Sequence, residues 1–134
     1  MNINITLPVE AFPNSVPARP VELMTWLATT FPNLTVSQRI DQAEPMLHGR
    51  LMLTSERLGA NARGRRFRFL YFSATAARDI RIHGGPMAGT LLPAYFRRRH
   101  GIQLAESAQC SAAYGLLPDG SEGYYPLELL DIIV

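Results

Sequence analysis

The last third of the chain, residues 91–133, constrains the fold more than any other segment. Its first part predicts a helix over about 91–100, because Pro93 is tolerated in a first turn and Gly101 suits the left-handed conformation that ends a helix. A loop then leads to an apolar strand at 126–133. A short helix followed by strands indicates a mainly β domain with short helices, of the α+β class.

The predicted helix presents an aromatic ring and an arginine on one face. Tyr95 and Arg99 are four residues apart, which places them side by side. The tyrosine hydroxyl and the guanidinium can both donate hydrogen bonds to one phosphate. Arg97 and Arg98 complement the dipole at the helix C-terminus, which explains them without a ligand. We therefore predict that Tyr95 and Arg99 bind a phosphate of single-stranded nucleic acid.

Basic residues are concentrated in the middle of the chain. Residues 50–100 contain eleven arginines and two acidic residues, a local charge of +9, whereas the remainder contains two arginines and nine acidic residues, a charge of −7. Such segregation favours a polyanionic partner, because each neutralised phosphate releases counterions. All thirteen basic residues are arginine, whose planar fork suits phosphates and bases. A solvated basic face and an arginine-rich codon usage remain alternative explanations.

The composition indicates one compact domain. With 134 residues and 47% apolar content, the chain can bury a substantial core. It has no run of about 18 apolar residues and no secretory signal pattern, so we expect a cytoplasmic or nuclear monomer that binds no membrane. Cys110 is the only cysteine and the three histidines are scattered, so we predict no disulfide, no metal and no cofactor.

The N-terminal part divides into a lead-in and the start of the domain. Residues 1–19 are rich in proline and lack a periodic apolar pattern, which is typical of an extended segment. Helical spacing of apolar residues predicts a helix over about 20–30. Residues 33–45 are polar and are predicted to form a loop, and a strand is predicted at 51–54. We therefore expect the domain to span residues 20–134.

A second predicted strand, over residues 65–72, combines arginines with aromatic rings. Strand alternation places the aromatic residues on one face and the arginines on the other. Such interleaving is typical of single-strand binders, and an ordinary amphipathic strand is the alternative. We interpret Phe69 and Tyr71 as core residues. The arginines predicted to contact RNA are Arg65, Arg66 and Arg68.

Together these elements resemble the PAZ domain of Argonaute proteins. The family's helix motif, in which two aromatic residues precede a basic triplet, corresponds to residues 95–104, and its Tyr-x-Pro-Leu-Glu strand corresponds to residues 124–128. Between these two motifs only Cys110 fits the family pattern. Weaker likeness covers residues 21–24, 48–51 and 65–69.

The resemblance implies a small OB-like β-barrel with an N-terminal helix and an inserted β-hairpin–helix flap. Such a domain would hold the 3′ end of a small guide RNA, or a two-nucleotide 3′ overhang, in the cleft between barrel and flap. Binding would be independent of sequence, would serve RNA silencing, and would involve no catalysis. Other domains of a parent protein are the further partners implied. Dicer proteins also carry PAZ domains, but no basic insertion like theirs is evident, which favours an Argonaute-like parent.

The resemblance also assigns residues to the RNA site. Phe67 stands where the family usually has a ligand-binding tyrosine, and Ile80 stands near the position of an aromatic residue that stacks on the terminal base. His100 replaces a tyrosine and can still donate a hydrogen bond. Tyr124 matches the tyrosine before Pro-Leu-Glu, Tyr125 replaces an aliphatic residue, and one of the two is expected to line the pocket.

Two functions from other classes remain open at this point. A ribonuclease that uses His100 with an arginine would also have a basic cleft, but it requires a second general acid or base within reach. A protein-interaction barrel that binds an acidic peptide is the other alternative.

Overall fold

The computed structural model describes residues 19–104 and 106–133, so the predicted lead-in lies outside the described residues except for Arg19. We number the elements in chain order. They are β1 (Pro20–Glu22), α1 (Leu23–Thr30), α2 (Val36–Leu47), β2 (Leu51–Thr54), β3 (Arg66–Ala76), α3 (Leu92–His100), β4 (Ser111–Leu116), β5 (Glu122–Tyr125) and β6 (Leu130–Ile133), with short 3₁₀ turns at Ala77–Asp79, Glu106–Gln109 and Leu127–Leu129.

The described strands form one antiparallel sheet in the order β1-β6-β2-β3-β4-β5. The predicted α+β class is confirmed. Hydrogen bonding ends at β1 on one side and at β5 on the other, so this sheet is not closed into the barrel that the resemblance implied. Strands β3, β4 and β5 pair consecutively, and they form the part of the sheet on which the site is built.

The larger hydrophobic core lies between the sheet and the two N-terminal helices. Its central side chains Phe67, Phe69 and Met52 are fully buried. They pack with Leu23 and Leu27 of α1, which confirms a helix in this region. That helix begins at Leu23 rather than at residue 20, because Pro20–Glu22 pairs with β6 as an edge strand.

Helix α2 occupies the region predicted to be a loop, so that prediction was wrong. The helix begins with a capping box: Gln38 donates its backbone N–H to the Thr35 hydroxyl at 3.2 Å, and Thr35 donates its own N–H to the Gln38 side chain at 2.9 Å. The apolar residues recur at helical spacing and reach the core. Those buried are Ile40, Ala43 and Leu47.

Strand β3 changes the direction of its side chains halfway along. Its pairing with β4 shifts register between Phe69 and Tyr71, as in a β-bulge. Since side chains alternate with period two, the shift exposes Tyr71 (42%) and buries Phe72 (6%). The core assignment was therefore right for Phe69 and wrong for Tyr71.

Residues 77–100, which we call the flap, pack on a second hydrophobic cluster. Phe96 and Leu92 of α3 are buried there with Ile80. They pack against Ala112 of β4 and Leu129 of the 3₁₀ turn before β6. Helix α3 lies where it was predicted, and Gly101 ends it with a left-handed φ of 67°. The expected β-hairpin is reduced to a single bridge between Arg81 and Leu91.

No helix in the described part of the chain has the length and apolar character needed to cross a bilayer.

Candidate functional site

A cleft of about 670 Å³ opens between the flap and strands β3, β4 and β5. We call its two sides the flap wall and the sheet wall. The flap wall includes Arg81, His83, Tyr95, Arg99 and His100. The sheet wall includes Tyr71, Tyr114, Glu122, Tyr124 and Tyr125.

The flap wall carries two arginines, Arg81 and Arg99. Tyr95 and Arg99 lie one turn apart on α3, as predicted, and both line the cleft. The Arg81 Nη1 group donates a hydrogen bond to the Gly89 carbonyl at 2.7 Å, which fixes this guanidinium against the flap loop. Within residues 19–104 and 106–133, no carboxylate forms an ion pair with Arg81 or Arg99. Their charge is therefore available to an anion in the cleft.

His100 joins the flap wall to the aromatic interior. Its ring stacks on Phe96 with centroids 5.6 Å apart and planes 29° apart. Burial lowers the pKa of His100, and the Arg99 guanidinium beside it lowers the pKa further. His100 is consequently neutral at pH 7, where one ring nitrogen can donate a hydrogen bond and the other can accept one.

Three tyrosines cross the sheet wall at one level. Strand pairing sets Tyr71 opposite Tyr114, and Tyr114 opposite Tyr124. The rings of Tyr71 and Tyr114 are stacked, with centroids 4.9 Å and planes 22° apart, while Tyr124 tilts by 55° against Tyr114 at 4.8 Å. The Tyr114 hydroxyl donates a hydrogen bond to Glu122. We call this row, Tyr71, Tyr114 and Tyr124, the tyrosine ladder.

Tyr125 lies deeper than the ladder and links both hydrophobic clusters. Its ring contacts Phe67 at 5.3 Å and Phe96 at 5.8 Å. Burial raises the pKa of the Tyr125 phenol, and nearby Tyr95 raises it further. The hydroxyl therefore stays protonated at neutral pH and can act as a hydrogen-bond donor.

The structure brings half of the predicted site residues together. Those that line the cleft are Tyr95, Arg99, His100, Tyr124 and Tyr125. The sequence anticipated that one of Tyr124 and Tyr125 would line the pocket, and both do.

The other predicted residues lie away from the cleft. Phe67 is fully buried in the larger core, so its assignment to the RNA site is corrected. Ile80 is 7% exposed and anchors the flap, and Ile82 lines the cleft in its place. The three predicted arginines also lie outside the cleft. Arg65 forms an ion pair with Asp119 at 3.8 Å, and Arg66 is exposed. Arg68 donates a hydrogen bond to the Gly49 carbonyl at 2.8 Å.

Sequence reasoning missed several residues that line the cleft. These are Tyr71, Arg81, His83, Tyr114 and Glu122. A signal for Tyr114 was present, because the Pro118-Asp119-Gly120 turn centres the β4–β5 hairpin. Counting outward from that turn sets Tyr114 opposite Tyr124. The exposure of Tyr71 depends on a bulge that the alternation pattern does not reveal.

The described residues contain no group of three or more His, Cys, Asp or Glu side chains arranged to hold a metal ion. Burial raises the pKa of the Cys110 thiol to about 11, so this side chain is protonated at neutral pH.

Comparison with known proteins defines the fold. No protein-family model matches the chain, and no curated protein matches it in sequence. Solved structures do match, and three of them, which are PAZ domains, match over most of their length and most of this chain. The expected PAZ fold is therefore confirmed.

These three structures come from Drosophila Argonaute proteins. One, of the Argonaute 2 PAZ domain and its nucleic-acid binding, has a TM-score of 0.63 and 16% identity, and covers 84% of this chain and 98% of that chain. A second, on 3′-end recognition of nucleic acids by the Argonaute 2 PAZ domain, has a TM-score of 0.64 and 15% identity, with coverages of 84% and 94%. A third, an Argonaute PAZ domain in complex with 3′-end 2′-O-methylated RNA, has a TM-score of 0.63 and 14% identity, with coverages of 85% and 98%.

Proposed function

We propose that this chain is a single-stranded RNA-binding module that holds the 3′ end of a small guide RNA, or a two-nucleotide 3′ overhang, in the cleft between sheet and flap. Binding is independent of sequence, because phosphate and stacking contacts do not read base edges. In this proposal the module acts as a monomeric unit of an Argonaute-like protein in RNA silencing, in the cytoplasm or nucleus, and it does not cleave the RNA.

The observation that carries the proposal is the pairing of two unlike walls across one cleft. Arg81 and Arg99 face the cleft with no carboxylate partner among the residues that the structure describes, and tyrosine rings line the opposite side. A nucleotide strand has the same two-sided chemistry, since its phosphates are anionic and its bases are flat and aromatic. Two of the PAZ structures that share this fold concern a 3′ end, which supports the end of the strand as the ligand.

Each side chain of the flap wall has a distinct task in this proposal. Arg99 and the Tyr95 hydroxyl donate hydrogen bonds to a phosphate near the 3′ end. His100, neutral at pH 7, donates a single hydrogen bond. Arg81 is held by the Gly89 carbonyl and contributes its charge to the strand that passes the flap loop.

The test is a titration of labelled single-stranded RNA that carries either a free 3′ hydroxyl or a 3′ phosphate. We expect the free hydroxyl to be preferred, and we expect Arg99→Ala to weaken binding by about tenfold to a hundredfold, because hydrogen bonds between charged groups contribute about 1.5–3 kcal/mol. Arg99→Ala should also reduce the slope of log K against log salt by about 0.7, the value for one contact to a single strand. Tyr95→Ala should weaken binding in the same direction.

The same helix provides a matched control. Arg98 is exposed on α3 and does not line the cleft. Arg98→Ala removes the same charge from the same element, so it should change the affinity by no more than about twofold. Equal losses for Arg98→Ala and Arg99→Ala, with no preference between the two RNA ends, would mean that only a generic basic surface binds.

The same samples separate the two alternative functions. RNA recovered intact on a denaturing gel agrees with a binding module, whereas cleavage that His100→Ala abolishes would favour a ribonuclease. An acidic peptide that displaces RNA and binds more tightly than RNA would favour a protein-interaction domain.

A further inference from the structure

The exposed end of the tyrosine ladder takes no part in the 3′-end contacts proposed above. Tyr71 is 42% exposed, although its neighbours Phe69 and Phe72 on the same strand are buried. The Tyr114 ring covers one face of Tyr71 at 4.9 Å. The register shift in β3 is what turns this ring toward the cleft. Bulges of this kind re-aim side chains at functional sites.

The charge around the ladder differs from the charge of the flap wall. Glu122 contacts the ladder, because its carboxylate accepts a hydrogen bond from the Tyr114 hydroxyl. Leu117 adds an apolar side chain to the lining of the cleft. A carboxylate repels phosphate and can accept a hydrogen bond from a base N–H. The ladder is therefore suited to a base, and Arg81 and Arg99 across the cleft are suited to the phosphates.

We propose that the tyrosine ladder is a base-stacking platform for nucleotides upstream of the 3′ terminus. A base of the bound strand stacks on Tyr71 and extends the row of rings, while the backbone follows the arginines of the flap wall. This inference rests on the proposed function only in that its ligand is single-stranded nucleic acid. A base within a duplex is already stacked on its neighbours, so the platform also favours single strands over duplexes at these positions.

An abasic scan tests the platform with the full chain. RNAs of one sequence, each with a free 3′ hydroxyl and one abasic nucleotide at successive positions from the 3′ end, are titrated with wild type, Tyr71→Ala and Tyr71→Phe. For the wild type we expect one or two upstream positions where loss of the base weakens binding about fivefold to a hundredfold, the range for one stacked base.

The variants connect that loss to the ring. Tyr71→Ala should bind the intact RNA as weakly as the wild type binds the sensitive abasic RNA, and it should be indifferent to the abasic site. Tyr71→Phe keeps the ring and should keep the abasic effect. Met46→Ala is the control, because Met46 is 55% exposed on α2 and does not line the cleft. Thermal unfolding of each variant checks that Tyr71→Ala is folded.

The outcomes separate this platform from the 3′-end site. An abasic effect that is equal in wild type and Tyr71→Ala at every position overturns the platform, whatever the preference between 3′ ends. An abasic effect that requires Tyr71, together with equal binding of RNAs with 3′ hydroxyl and 3′ phosphate ends, supports the platform and contradicts the 3′-end function. Failure of the wild type to bind any of these RNAs overturns both.

Discussion

The two hydrophobic clusters of the domain are enclosed in different ways. The larger one, around Phe67 and Phe69, lies between two helices and a continuous ladder of backbone hydrogen bonds. The smaller one, around Phe96, is covered by the flap, in which the Arg81–Leu91 bridge pairs two segments of the flap itself. The Ala77 N–H at the start of the flap donates a hydrogen bond to the Cys110 carbonyl at 2.7 Å. Side-chain packing therefore holds most of the flap against the sheet, whereas both packing and backbone pairing hold the strands of the sheet. Elements with fewer backbone bonds open at lower free energy, so the flap is the part of the domain best suited to admit a ligand.

The largest expected effect tests this difference directly. Phe96→Ala and Phe69→Ala each remove a buried ring, and each should lower the free energy of unfolding by about 3–5 kcal/mol. Urea unfolding measures that loss. Hydrogen exchange should separate the two variants, since Phe96→Ala should speed exchange mainly in α3, whereas Phe69→Ala should speed it throughout the sheet. The same exchange pattern in both variants would show that flap and sheet open as one unit.

A smaller effect is expected at the strand pair beneath the cleft. A Cβ atom at Gly115 would lie 2.3 Å from the Arg68 carbonyl oxygen and 2.6 Å from the Phe67 ring, whereas one at its cross-strand partner Gly123 would meet nothing within 4 Å. Gly115→Ala should therefore destabilise the domain by about 1–3 kcal/mol, as overpacking does. Gly123→Ala should lie within about 0.5 kcal/mol of the wild type. Thermal unfolding of both variants checks this prediction. Equal stabilities would contradict the close packing of Gly115 against strand β3.

The pH dependence of RNA binding tests whether His100 of the flap wall lies close to a phosphate of the bound strand. Because the pKa of His100 is lowered, the ring gains its proton only as the pH falls below its ordinary titration range. An added positive charge close to a phosphate contributes about 1 kcal/mol, so RNA affinity should rise as the pH falls below that range, by about fivefold once the ring is protonated. The His100→Ala variant should lose this rise, and His48→Ala is the control because His48 does not line the cleft. A rise that survives His100→Ala would assign it to another group.

The lowered pKa of His100 has the opposite effect on folding: acid lowers the stability of the free domain. The folded state disfavours the proton on His100, so the stability that comes from the neutral ring is present above the pKa of the unfolded chain and is lost as the pH falls from there through the lowered pKa of the folded state. Acid should therefore tighten RNA binding while this histidine makes the free domain slightly less stable.

The smallest effect concerns the edge of the sheet farthest from the cleft. Glu22 of β1 lies directly opposite Asp131 of β6, and burial is the main cause that raises the pKa of each. Nearby carboxylates add to both shifts, with Glu128 acting on Glu22 and Glu56 acting on Asp131. Carboxyl groups with raised pKa values stabilise the fold at low pH and lose that contribution as the pH rises through the folded value.

Asp131→Asn should therefore raise the free energy of unfolding at pH 7 by about 0.2–1 kcal/mol, the range for cross-strand pairs. The gain should disappear near pH 3, where both carboxyl groups are protonated. Asp41→Asn, on the exposed surface of α2, is the control. A gain that is independent of pH would show that charge is not its cause.

The sequence predicted the parts of the domain whose local signals agree with their packing. The helix at 91–100 and its Gly101 end were predicted because spacing, proline and glycine all indicated the same boundaries. Tyr95 and Arg99 followed from that helix, since a helical face is fixed by spacing alone, whereas His100 was predicted from the family resemblance. The loop prediction at 33–45 failed because polar composition was given more weight than the Thr35–Gln38 capping box.

The rest of the site depends on tertiary structure. Tyr71 faces the cleft because of a register shift that involves its partner strand, and Phe67 is buried because helices cover its face of the sheet. Arg81 and His83 enter the cleft through a flap loop whose path no periodic pattern specifies. The family resemblance placed Phe67 and Ile80 in the site, but in this chain both side chains are buried and neither lines the cleft.

The contact between Gly115 and Phe67 has a consequence for how this sequence can evolve. The Phe67 ring and the Arg68 carbonyl oxygen both occupy the space that a side chain at 115 would need, and the carbonyl oxygen is the nearer of the two. Because no substitution removes a backbone carbonyl, glycine should persist at 115 even in relatives of this chain that have a residue smaller than phenylalanine at 67. The double exchange Phe67→Leu with Gly115→Ala should accordingly relieve only part of the strain that Gly115→Ala introduces.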